Sequence, residues 1–408
     1  MFSQSKLMRL TPFLSFLLTI FAFAIIGEAN AQFLGQDTAR RVISTAVPFL
    51  TITPDARAAG MGDAGVAVTT DANATYWNPA KLAFMEKTMG ASVSFSPWLQ
   101  KLVNDMSIAY LSGYYKISKQ EAVAVSMRYF NLGSIQFTNA NGQPLQDFNP
   151  REMALAGTYS RKLSNSFSMA LTARYIYSNL AGNISNAGTN VNAQPGNTVG
   201  VDIAAYYEKK KIIGTVPTTI AFGATITNIG GKMTYNNPAT ADFIPTTLRI
   251  GTGITAEIDE YNKIIFALDV SKLMVPTPPI RNGQGTILQG KDPNRTILSA
   301  MFGSFNDAPN GISEELQELI YSVGMEYWYK DLIALRGGYF NENKIKGNRK
   351  YFTLGMGIRY QKFGIDFAYM MPTSQNHPLA DIMRFTLLFD FAKSKQEKSV
   401  DDSPTNVQ

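Results

Sequence analysis

The chain of 408 residues has no cysteine and one histidine, His377. The first absence removes disulfides, thiol nucleophiles and cysteine metal ligands, and a domain of this size has core enough to fold without cross-links. The second removes most nitrogen-ligated metal sites. A lone histidine between Asn376 and Pro378 reads as a loop residue rather than as the base of a catalytic triad. No other residues assemble a catalytic constellation, so no enzyme activity, cofactor or metal is expected. Strong charge is missing as well: 37 Lys and Arg stand against 31 Asp and Glu, with no dense basic run of the kind that binds nucleic acid. Past residue 31 there is no apolar run near the roughly 20 residues of a membrane-spanning helix. If that part of the chain crosses a membrane, it must do so as a closed barrel, the other structure that satisfies every backbone polar group in lipid.

The first residues assign a compartment. Lys6 and Arg9 precede an apolar run, and Ala29-Asn30-Ala31 then forms a small-x-small site before Gln32. This is the layout of a secretory signal peptide over 1–31, cut between Ala31 and Gln32. The alternative is an uncleaved anchor, but Phe13–Ile26 has only 14 residues, short of a span.

What the chain has in quantity is period-two alternation. Phe167, Met169, Leu171, Ala173, Tyr175 and Tyr177 alternate with Ser168, Ala170, Thr172, Arg174 and Ser178; Phe352 to Tyr360 and Phe363 to Tyr369 repeat the pattern. Strands are expected near 90–96, 106–118, 121–132, 152–162, 167–180, 198–209, 218–229, 247–258, 262–271, 319–329, 332–341, 350–360, 363–371 and 382–392. Every second connection is short (Ser118–Gln120, Leu163–Ser166, Asp259–Tyr261, Lys330–Asp331, Gln361–Lys362), with a somewhat longer joint at Lys210–Pro217. The others are mostly long, and an outer-membrane barrel has this asymmetry, with short periplasmic turns and long surface loops. An even strand number puts both chain ends on the short-turn side. The second face of the strands carries Gly, Ser, Thr and the charges Arg128, Arg174, Arg249, Asp269, Glu326, Arg336, Arg359, Arg384 and Asp390. A soluble sandwich would use the same alternation with the faces reversed. Strand length, strand number and aromatic strand ends favour the barrel.

The expected fold is therefore all-β: a transmembrane antiparallel β-barrel of about fourteen strands over 89–392, in outer-membrane lipid, with a polar periplasmic tail at 393–408. Residues 32–88 do not alternate. They read as short helices and glycine turns, one helix over Thr38–Val47, and their small side chains suit a plug packed inside the bore. Inward arginines would find counter-charges in plug carboxylates such as Asp55 and Asp63.

Trp77-Asn78-Pro79-Ala80-Lys81 after a glycine-rich stretch, ahead of such a barrel, resembles the FadL family of outer-membrane transporters. The string from Ile52 to Ala67, with Asp55, Arg57, Gly60, Gly62 and Asp63, is more specific. Together with Ser96-Pro97-Trp98-Leu99 and Tyr110-Leu111-Ser112-Gly113-Tyr114-Tyr115, it resembles the PorV-like (LptO-like) proteins of the type IX secretion system. That resemblance implies partners rather than chemistry: a SprA-type translocon, the C-terminal signal domains of secreted cargo, and a surface attachment complex to which cargo is delivered. The competing function is a FadL-type transporter of hydrophobic small molecules. Gly251 and Gly253, or Gly337-Gly338, could kink a strand and open the wall for it, unless they face a crowded lumen.

The longest connection, 272–318, is the place for a partner to dock or for a lid. Its candidate contact residues are Ile297, Leu298, Met301, Phe302 and Phe305, followed by a capped helix-like piece from Ser313 to Glu318.

Overall fold

The computed structural model describes residues 41–100, 103–138, 141, 143–180, 194–235, 241–373 and 382–391. The expected signal peptide with its cut between Ala31 and Gln32, the first part of the expected plug to residue 40, His377 and the expected tail 393–408 lie outside them.

The strands in chain order are β1 (Met89–Pro97), β2 (Ser107–Lys116), β3 (Glu121–Asn131), β4 (Ile135–Thr138), β5 (Pro144–Phe148), β6 (Arg151–Lys162), β7 (Phe167–Asn179), β8 (Gly196–Ile213) and β9 (Val216–Gly230). They continue as β10 (Thr247–Glu257), β11 (Asn262–Leu273), β12 (Ile280–Arg281), β13 (Ile287–Gln289), β14 (Ile320–Tyr329), β15 (Ile333–Asn341), β16 (Lys350–Tyr360), β17 (Phe363–Pro372) and β18 (Met383–Asp390). Fourteen of them close into one antiparallel barrel; β4 pairs with β5 and β12 with β13 as separate hairpins within long connections. Closure is made by β1 against β18, from Gly90 opposite Asp390 to Phe95 opposite Phe385. Every expected strand is present. The joint expected at Lys210–Pro217 is strand instead: β8 and β9 pair as far as Ile213 opposite Val216, around Gly214 at φ +64°.

The two faces settle the choice between a sandwich and a membrane barrel. Val125, Leu155, Leu171 and Ile358 point outward and are more than half exposed, while inward Thr172, Glu326, Asp366 and Thr386 have no exposure at all. Apolar outside and polar inside is the arrangement lipid selects. Tyr115, Tyr159, Tyr207, Tyr261, Tyr329 and Tyr360 are exposed near the short-turn end. They form an aromatic belt where phenol rings meet headgroups. Among the described residues no helix is long and apolar enough to cross a membrane; the strands do so.

The segment before β1 runs down the inside of this wall. It starts at the long-connection end, where the Arg41 amide donates to the Ile345 carbonyl at 3.1 Å and the Ala46 amide to Phe243 at 2.9 Å. Val47, Phe49 and Leu50 then pack with Trp98, Ile108, Phe130, Met233 and Ile244. Helical turns follow at Ala56–Ala59 and Ala74–Trp77, then a 3-10 turn at Pro79–Phe84. At the short-turn end Lys116 Nζ donates to the Met85 carbonyl at 2.7 Å, and the chain enters β1. One expectation is corrected: residues 41–47 contain no helix. The barrel strands begin and end on the short-turn side, and the chain's own ends lie outside the described residues.

Candidate functional site

The plug is locked to the wall by ion pairs and by close backbone contact. Asp55 caps its own turn, accepting from the Ala58 amide at 2.9 Å, and its other oxygen takes the Trp77 indole N–H at 2.6 Å. Arg57 donates to both oxygens of Glu326 on β14, at 3.0 and 2.7 Å, and to Asp71 at 2.9 Å. Glu326 also accepts from Arg336 Nε at 2.7 Å, Arg336 reaches Asp366 at 2.8 Å, and Arg359 closes on Asp366 at 2.9 and 2.7 Å. On the other side Asp269 accepts from the Gly65 and Val66 amides at 2.7 and 2.9 Å. Asn78 ties the 3-10 turn to the wall: its oxygen accepts from the Ala80 amide at 3.1 Å and its amide donates to the Ala205 carbonyl at 3.0 Å. Pro79 opens that turn, where a missing N–H costs no hydrogen bond.

Small residues make this contact possible. Gly62 sits at φ +65° against the backbone of Tyr339, and a Cβ on Gly60 would meet the Gly355 Cα at 3.0 Å. From the wall, Gly253 faces the Ala67 carbonyl, Gly324 faces Met61, Gly338 faces Gly62, and Gly251 lies between Asp269 and Val66. These glycines face a crowded lumen; Gly337 points away from it, with nothing within 4 Å of a Cβ built there.

The expected pairing of wall arginines with Asp55 and Asp63 does not occur. Asp55 is used within the plug, and Asp63 accepts from the Tyr351 hydroxyl at 2.6 Å. The polarity is reversed, since the plug contributes the cation Arg57 and the wall the carboxylate Glu326. The wall arginines find other partners. Arg128 donates to the Phe49 carbonyl at 2.8 Å and Arg249 to the Tyr76 hydroxyl at 3.0 Å.

The connection 274–319 is folded, not loose. It carries the β12–β13 hairpin and helices Ile297–Gly303 and Ile312–Gln317. Ser313 is not a cap; Gly311 takes the N-cap position without a side-chain bond. The acidic residues of the second helix instead brace the loop. Glu314 accepts from Arg41 at 2.9 and 2.7 Å and from Lys346 at 2.6 Å. Glu318 accepts from Lys346 at 2.8 Å and from Thr277 at 2.6 Å, and also holds Lys272. Glu315 accepts from Lys272 at 2.9 Å and from the Asp307 and Ala308 amides at 2.7 and 2.9 Å. Burial alone would raise Glu314, but the hydrogen bonds from Arg41 and Lys346 outweigh it and hold the carboxyl at about 2.

On this braced loop the five candidate residues divide. Met301 is buried and Ile297 half-buried, whereas Leu298, Phe302 and Phe305 are exposed at 62%, 69% and 45%. Ile312 and Leu316, which the sequence reading passed over, are exposed at 77% and 60%. Their i, i+4 spacing was the available signal, since it puts both on one side of the helix.

A closed barrel with a lipid-facing outside, its own N-terminal segment in the bore and a braced apolar loop at one end is an integral outer-membrane protein. The family model for type IX secretion system protein PorV matches residues 35–280. The chain belongs to that family and is an outer-membrane component of type IX secretion. No curated protein matches it. Among solved structures it is similar to the CymD monoaromatic hydrocarbon channel, at 13% identity over 83% of this chain and 98% of that one, with a TM-score of 0.45. It is also similar to the Pseudomonas putida toluene transporter TodX, at 12% over 83% and 97% with a TM-score of 0.47. A Pseudomonas aeruginosa FadL homologue gives 11% over 86% and 100%, with a TM-score of 0.43.

Proposed function

We propose that the protein works by binding: it engages a SprA-type translocon and the C-terminal signal domains of cargo, and passes cargo to a surface attachment complex. Family membership supplies the secretion system. The observation that carries the binding role is a set of apolar side chains, Leu298, Phe302, Phe305, Ile312 and Leu316, exposed on one loop held in place by buried ion pairs. A braced loop loses little conformational entropy when a partner covers it, and its exposed Phe and Leu side chains can fill a partner's pockets. The plug residues Asp55, Arg57, Gly60, Gly62, Asp63, Asn78 and Pro79 act indirectly in this reading, by keeping the bore filled.

The test is Leu298→Ser/Phe302→Ser/Phe305→Ser in cells. Replacing all of 295–306 would be a poorer test, because Ala300, Met301 and Ser304 are buried. Unchanged barrel levels with reduced release of type IX cargo are expected; normal release would make the loop a lid. One feature favours a FadL-type transporter of hydrophobic small molecules as the second reading. A cavity of about 230 Å³ lies on the long-connection side of the plug, with Trp98, Phe340 and Met370 beside Arg249 and Arg384.

A further inference from the structure

We propose that the tip of the β8–β9 hairpin is a docking edge on which an acidic polypeptide segment adds as an extra strand, on the short-turn side of the membrane. β8 has 18 residues and β9 has 15, well beyond the roughly 9–11 that a tilted strand needs to span. The surplus lies past the tyrosine belt. The neighbouring β7 pairs with β8 only as far as Phe167 opposite Tyr207, and β10 pairs with β9 only as far as Ala256 opposite Thr218. On the β7 side Lys209 to Ile213 therefore run on without a strand neighbour, about 17 Å at roughly 3.3 Å per residue, whereas on the far side β10 flanks β9 as far as Thr218 and only Ile212 to Val216 pass both neighbours. Ile212 and Ile213 are exposed at 75% and 48%.

One edge of this projection is open. The Glu208 amide donates away from β9, to the Ser166 carbonyl at 2.9 Å. Strand geometry then turns the N–H and C=O of Lys210 and Ile212 the same way, and among the described residues nothing pairs them. The other edge is blunted by Pro217, which has no N–H to offer. The open edge is basic. Lys209, Lys210 and Lys211 have no carboxylate partner among the described residues, and Glu208 already accepts from the Tyr206 hydroxyl at 3.0 Å. The β6–β7 turn, whose Ser166 takes the Glu208 amide, lines an open groove on its other side with Gln120, Arg161, Lys162, Leu163, Ser164 and Asn165. Three adjacent lysines repel a second copy of the same edge and favour a strand that carries carboxylates.

The experiment uses the full chain in phosphatidylcholine nanodiscs and a fluorescent peptide of alternating Glu and Thr, read by anisotropy. The acidic peptide should bind and its Lys-for-Glu counterpart should not. Lys209→Glu/Lys210→Glu/Lys211→Glu should weaken binding by about tenfold or more through charge reversal. Ile212→Pro keeps every charge and, because Ile212 faces Pro217, keeps the hairpin's own bonds. It should still weaken binding severalfold, while Ile212→Ala should not. Equal binding by the native chain and Ile212→Pro would overturn strand addition. Binding to phosphatidylglycerol vesicles in place of the peptide would overturn it in favour of lipid headgroups, and no binding of either would overturn it outright. None of these outcomes bears on the exposed apolar side chains of the 274–319 loop, which are at the other end of the barrel.

Discussion

Arg57 of the plug and Glu326 of the wall meet through two hydrogen bonds of 3.0 and 2.7 Å, with side-chain exposures of 6% and 0%. The two residues are 269 positions apart in sequence, so the pair forms only when the barrel has closed around the plug. Glu326 also holds Arg336, which makes the two partners unequal. Glu326→Gln removes the carboxylate that two guanidinium groups share and leaves Arg57 only Asp71 and Arg336 only Asp366, whereas Arg57→Met leaves Glu326 still paired with Arg336. Breaking a buried pair costs about 3–5 kcal/mol. Both variants should lower the temperature at which the folded band is lost in heat-modifiability gels, and Glu326→Gln should lower it further. An equal shift would show that Arg336 does not share the carboxylate.

Filling the plug–wall contact should unseat the plug without unfolding the barrel. Gly338→Leu places a side chain where the Gly62 amide and Met61 lie, and Gly62→Ala adds a methyl at φ +65° against Tyr339. Overpacking of this kind costs roughly 1–3 kcal/mol. Planar-bilayer recordings should show no large steady conductance for the native chain and a raised conductance for Gly338→Leu. A large steady conductance in the native chain would mean that the segment 47–85 does not close the bore.

The loop brace should fail in acid. Glu314 is depressed from 4.5 to about 2, so its contribution is fully present above 4.5 and is lost as pH falls towards 2. Cleavage within 274–319 by an acid-active protease should rise across that window. Glu314→Gln should be cut readily at pH 5 and show a flatter pH profile. A native loop equally resistant at both ends of the window would show that Arg41 and Lys346 do not hold it.

Single cysteines fix the orientation, because the chain has none of its own. Gly283→Cys and Asn141→Cys should react on whole cells with an impermeant reagent, and Asp331→Cys should not. Labelling at 331 alone would invert the barrel and move the 274–319 loop to the periplasm.

Much of this architecture is written locally. Alternation such as Phe363, Ile365, Phe367 and Tyr369 against Gly364, Asp366 and Ala368 needs no distant information, and every barrel strand could be read from it. The small residues around Gly60 and Gly62 likewise announce close packing. What could not be read depends on partners far along the chain. Nothing near Arg57 points to Glu326, and nothing near Arg41 points to Glu314. Met301 and Phe302 look alike in sequence, and only the packing of their helix buries one and exposes the other. Asn282-Gly283 between β12 and β13 was a legible turn signal that the reading of 272–318 as one loop missed. The joint expected at Lys210–Pro217 differs for another reason: β8 and β9 go on pairing past the tyrosine belt to Ile213 opposite Val216, beyond the point where lipid dictates the alternation.

Deleting the whole chain tests the reading most directly. Type IX cargo should then accumulate in the periplasm and vanish from the surface and medium, while uptake of hydrophobic small molecules stays unchanged. Normal cargo release together with lost uptake would contradict it and make this barrel a small-molecule transporter.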